Sequence, residues 1–215
     1  MSVHCCSAER PERTDIRYRR VLWAALAING IMFLVEIVAG LMAGSVSLQA
    51  DALDFLGDVA NYGISLFVIG MALRYRAKAA LLKGATMGLF GLWVISAIIW
   101  HAVYGTLPRA ATMGKVGFMA LVANGVVFAL LWTSRKGDSN MRSAWLCSRN
   151  DVIGNLAVLL AAVGVFGTGT GWPDVVVAAI MAGLGLQSAV QVMRHALEEL
   201  RLEKPREQIL SEVRH

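Results

Sequence analysis

Charge is scarce in this 215-residue chain: Asp, Glu, Lys and Arg make up only 16% of it, against about 25% in an average soluble domain. With 57% hydrophobic residues and a mean hydropathy of +0.59, that shortage excludes a disordered chain and an ordinary water-soluble globule. Cysteine is scarce as well. Of the three, Cys5 and Cys6 are adjacent and Cys147 stands alone, so no disulfide framework of a small secreted module is present. Tandem repeats and low-complexity segments are absent. Acids are the minority, 15 against 20 Lys and Arg, giving a net charge of +5. The basic residues lie beside apolar runs, which reads as membrane topology and not as a nucleic-acid patch.

A membrane-spanning helix needs about 20 mostly apolar residues. Six such runs are present: Val21–Ala43, Ser47–Leu73, Ala79–Tyr104, Gly114–Trp132, Ala144–Phe166 and Trp172–His195. The expected fold is therefore an all-α membrane protein of six transmembrane helices. Residues 1–20 form an N-terminal arm, 21–195 the transmembrane domain, and 196–215 a short tail that Pro205 is expected to interrupt. Seventeen of the 20 basic residues fall on the side of the termini and even-numbered connections, Lys83 counted among them; only Arg109 and Lys115 fall opposite. The positive-inside rule then puts both termini in the cytoplasm. Trp residues near the span ends suit an interfacial belt.

The scarce acids are informative because several fall inside the spans. An ionisable group at bilayer depth is costly and faces an interior or a water-filled cavity. Glu36 lies in the first span, Asp51, Asp54 and Asp58 in the second, and Asp151 in the fifth. Residues i and i+4 share a helix face, so Asp54 pairs with Asp58 and Cys147 with Asp151. Asp51 falls one residue off the first pair and is expected to support the ligands from behind. If the second and fifth helices are neighbours, three carboxylates and a thiol converge near mid-membrane. Crowded carboxylates repel unless a cation joins them. Three carboxylates and a thiolate match the four-coordinate habit of zinc, and thiolate also suits the softer cadmium. Asn29, Asn124, Asn150 and Asn155 read as partners in hydrogen bonds between helices. Gly57, Gly63 and Gly70, joined by Gly88 and Gly91, offer a face for helix packing or a dimer contact.

These residues resemble the cation diffusion facilitator family. The likeness is carried by LMAGSVSLQADALDFLGDVANYGISL (Leu41–Leu66), AWLCSRNDVIGNLAVLLAA (Ala144–Ala162) and GTGWPDVVVAAIMAGLGLQSA (Gly169–Ala189). The resemblance implies a six-helix bundle exporting divalent metal in exchange for protons. It implies metal ligation by Asp54, Asp58, Cys147 and Asp151, with Cys147 where the family usually has His, and it matches Glu36 to a first-helix Glu. The cysteine tilts metal preference toward cadmium or broader use. The cytoplasmic metal-binding domain of most members is expected to be missing, and the connection after the second helix lacks metal ligands. His4, Cys5 and Cys6 offer soft ligands on an arm that would receive metal.

The expected function is thus a zinc, and also cadmium, efflux transporter of the bacterial inner membrane, and not an enzyme. Its metal is transported substrate rather than cofactor. Its partners are divalent metal ions, protons, the lipid bilayer and a second copy of the chain in a homodimer, with no nucleic acid. The alternative is a non-transporting membrane protein that binds or senses metal.

Overall fold

The computed structural model describes residues 16–67, 73–132 and 139–212, with side chains described for 19–66, 75, 77–132 and 151–201. The His4–Cys6 arm lies outside them. The described residues form six helices: α1 (Ile16–Ala43), α2 (Val46–Phe67), α3 (Leu73–Tyr104), α4 (Ala110–Leu131), α5 (Ser139–Thr168) and α6 (Trp172–Glu212). Helices satisfy their backbone groups internally, which is what a bilayer demands of a spanning segment. Five of the six are long and apolar enough to cross a membrane. The exception is α2, whose three aspartates break its apolar run. At 22 residues and a rise of 1.5 Å per residue it is ~33 Å long, enough to span the same distance. The chain is a multi-pass, all-α membrane protein.

The helices pair as α1 with α2, α3 with α6, and α4 with α5, and α2 packs on all five others. This central position buries Asp51 and Asp58, half-buries Asp54, and explains how so polar a helix sits in an apolar bundle. Outward-facing positions carry large apolar side chains, among them Ile31, Leu34, Leu89, Val163 and Phe166, all exposed; in lipid that surface is solvated. Two ends of the bundle are distinguished below. The hairpin end carries the α1–α2, α3–α4 and α5–α6 connections, and the terminus end carries both chain termini.

The α1–α2 connection is set by local chemistry. Gly44 has φ of +67°, a conformation glycine adopts without steric cost. Gly44 N–H donates to Leu41 O at 3.3 Å and Ser45 N–H to Gly40 O at 3.0 Å, the paired bonds that close a helix around a left-handed residue. Ser45 then caps α2, its Oγ accepting from Leu48 N–H at 3.3 Å. The next donors of α2 are taken from across the bundle. Asp174, in the first turn of α6, accepts from Val46 N–H at 2.8 Å, Ser47 N–H at 3.0 Å and Ser45 Oγ at 2.8 Å. One buried carboxylate thereby serves two helix N-termini, where negative charge is favoured. Asp174→Ala leaves buried donors unpaired and is expected to destabilise the protein by about 2–3 kcal/mol. Equilibrium denaturation in detergent micelles measures this, and a change no larger than that of Ser45→Ala would contradict it.

Two sequence expectations change. Lys83, counted as a connection charge, lies within α3 and is buried; its Nζ donates to Asn61 Oδ1 on α2. The helix expected to break at Pro205 runs on to Glu212. Proline removes one backbone donor from a helix, and here one lost bond does not end it. The glycines read as a helix-packing or dimer face do serve packing: Gly57 lies against Met87, Gly91 against Leu53 and Leu186, and Gly88 reaches Met193, all within the chain. Close packing of α2, α3 and α6 uses them. Gly63 meets nothing within 4 Å, and Gly70 lies outside the described residues.

Candidate metal centre

The aspartates of α2 form one face. Asp54 and Asp58 are four residues apart, and Asp51 precedes them by three and seven. At 3.6 residues per turn all three project within a narrow sector. Asp51 therefore shares the face that the strict four-residue spacing seemed to deny it. Measured from Val46, the three lie ~8, ~12 and ~18 Å along the helix.

The bundle brings this face against α5. Asp54 Oδ2 lies beside Gly154: a Cβ built on that glycine would stand 4.0 Å from the oxygen. The carboxyls of Asp58 and Asp151 are within hydrogen-bonding reach of each other, and Asp151 also feels the charges of Asp54 and Asp51. Asp58 is buried, and Tyr62 Oη donates to its Oδ2 at 3.1 Å. Asp151 Oδ2 is buried without a hydrogen-bond partner. Two facing carboxylates have no proton to share when both are ionised, so the arrangement calls for a positive charge between them. Cys147 lies on α5 one turn before Asp151, and its side chain is outside the described residues. Among the described residues, no three His, Cys, Asp or Glu side chains are clustered as a ready metal site. What is assembled is the Asp58–Asp151 pair, with Asp54 one turn along α2 beside Gly154 and the cysteine position one turn along α5.

A second carboxyl pair lies toward the hairpin end. Glu36 of α1 and Asp51 of α2 are both buried, and their carboxyl groups are neighbours. The asparagines depart from expectation. Asn29 Nδ2 donates to Ala25 O at 2.8 Å and Asn155 Nδ2 to Asp151 O at 2.6 Å, so each bonds its own helix and not a neighbour. An amide can satisfy its donor on the carbonyl one turn back. The Oδ1 atoms of Asn29, Asn124 and Asn155 are left buried without a partner. Asn150 lies outside the described side chains. With the acids, α1, α2, α4 and α5 thus present oxygens toward the bundle interior. Tyr62 was missed in the sequence although it sits four residues after Asp58, at the same spacing that identified the ligands. Asp174 was missed because its partners lie 127 to 129 residues away.

Comparison with known proteins gives the geometry a family. Residues 22–201 match the family model of the cation efflux transmembrane domain. The chain is 31% identical over 207 residues to the zinc transporter ZitB of Escherichia coli, covering 90% of this chain and 65% of that one. It is 26% identical over 196 residues to the cadmium, cobalt and zinc/H(+)-K(+) antiporter of Bacillus subtilis, covering 84% and 62%. Over 177 residues it is 27% identical to the metal cation efflux system protein CzcD of Cupriavidus metallidurans, covering 75% and 55%. The chain thus spans about two thirds or less of the length of these relatives. With the family model covering most of the chain, and with Asp54/Asp58 on the second and Cys147/Asp151 on the fifth helix of a six-helix bundle, the chain belongs to the cation efflux family, the cation diffusion facilitators that its motifs resemble.

Proposed function

We propose that this protein exports zinc, and also cadmium, from the cytoplasm of a bacterial cell in exchange for protons. One observation carries the reading: Asp58 on α2 and Asp151 on α5 face each other in the bundle interior, with Asp54 one turn along α2 beside Gly154. In this reading the thiolate of Cys147 completes a four-coordinate site. The terminus end faces the cytoplasm, as the basic residues favour, and the chain sits in the bacterial inner membrane as a homodimer. Metal enters past the Asn29 and Asn124 oxygens, binds the carboxylates and leaves at the hairpin end. Tyr62 orients Asp58 by donating to one oxygen, leaving the other for the ion.

Coupling to protons follows from the ligands. Metal binds them only when they are deprotonated, so binding expels protons and protonation expels metal. For each proton displaced, zinc affinity falls about tenfold per unit drop in pH. The test uses inverted membrane vesicles with an acidic interior. Zinc is expected to accumulate inside, and accumulation is expected to collapse when an ionophore abolishes the pH difference. Undiminished uptake after that collapse removes the antiport. Zinc binding without uptake at any pH difference leaves a metal-binding protein that does not transport.

A further inference from the structure

Apart from Asp174, which is satisfied by the start of α2, two buried carboxyl groups remain outside that site. Glu36 is 0% and Asp51 1% exposed, and they come from different helices of the α1–α2 hairpin. Seven residues separate Glu36 from the end of α1, and five separate Asp51 from the start of α2. Both therefore lie ~8–11 Å from the hairpin end, whereas Asp58 lies ~18 Å from it. Neither Glu36 oxygen has a hydrogen-bond partner, and Asp51 Oδ2 has none. Lys83, the buried lysine among the described residues, bonds Asn61 instead. A charge buried without a counter-charge costs several kcal/mol. A chain that keeps two such groups face to face, inside a bundle that handles cations, has an occupant for them.

We propose that Glu36 and Asp51 form a second, all-oxygen subsite that takes the divalent cation after it leaves Asp54, Asp58 and Asp151 and before it exits at the hairpin end. This rests on the export reading above and extends it. Asp54 lies between the two sites: it belongs to the first and its charge is felt at Glu36. An oxygen-only site holds zinc less tightly than one containing a thiolate, and it favours harder ions such as manganese. That gradient suits an exit station, which must accept an ion and release it. Two dications this close repel strongly at low dielectric, so the sites are occupied in turn.

The test empties the first site and looks for the second. In purified full-length Asp58→Asn/Asp151→Asn protein, manganese(II) binding is followed by loss of the free-ion electron paramagnetic resonance signal. About one ion per chain is expected to bind. Adding Glu36→Gln, or separately Asp51→Asn, is expected to weaken that binding about tenfold or more. Glu36→Asp is expected to restore most of it. No manganese binding in the double variant overturns the subsite and leaves the pair to a proton. Binding that survives both Glu36→Gln and Asp51→Asn also overturns it. In the otherwise unaltered chain, Glu36→Gln is expected to slow zinc flux while equilibrium zinc affinity stays within about threefold. Equal losses in both would mark a structural role. Thermal melting of each variant in the same micelle controls for folding. Absence of zinc flux from the unaltered chain would overturn the export reading itself, an outcome separate from these.

Discussion

Asp58→Asn and Asp151→Asn are each expected to reduce zinc flux about 100-fold. The figure follows from the ligand count. Four-ligand zinc sites bind with about 10–16 kcal/mol. One ligand in four corresponds to about 3 kcal/mol, or about 100-fold in affinity. Asparagine preserves the volume and polarity of aspartate, so the bundle should still fold. It removes the charge that offsets the dication, and in Asp58 it also disturbs the acceptor for Tyr62. Zinc uptake into inverted vesicles, normalised to protein abundance, reads the effect. Wild-type flux from both variants would place the transported ion elsewhere in the bundle.

Cys147→His is expected to shift the ratio of zinc to cadmium affinity toward zinc by about tenfold, a change of about 1.4 kcal/mol. Thiolate is polarisable and favours the softer ion, whereas imidazole serves zinc well. Calorimetry with both metals measures the ratio. The comparison is made in a Cys5→Ser/Cys6→Ser background, because those thiols would otherwise bind cadmium and mask the change. An unchanged ratio removes sulfur from the coordination sphere. The two variants separate two questions: the aspartates decide whether metal moves, and the cysteine decides which metal is preferred.

The residues differ in how openly they announced these roles. The spans were legible because lipid demands long apolar runs. The Asp54, Asp58 and Asp151 positions were legible because charges there are expensive and helical spacing groups them. The Glu36–Asp51 juxtaposition was also available in principle: a two-residue turn at Gly44–Ser45 fixes the register of α1 against α2, and both acids lie at similar distances from it. It was passed over because Asp51 was judged only against a four-residue spacing, when three and seven place it on the same face. Lys83 was misread because charge near a span end was assigned to a connection, although a half-buried amide of α2 receives it. Asn29 and Asn155 were misread because an amide can bond its own helix as readily as a neighbour. Asp174 was beyond reach, since no local pattern tells an acid at one helix start that it will serve another.

The shared carboxylate of Asp174 has a mechanical consequence. It grips backbone donors at the first residues of α2, so that helix resists sliding along its axis, and any lean of it would pivot at this end. The lever is ~33 Å long. A lean of about 10° about Val46 would carry Phe67 through ~6 Å while displacing Asp51 by little more than ~1 Å. The same pivot that holds one mouth nearly still makes the opposite mouth the wide-swinging one.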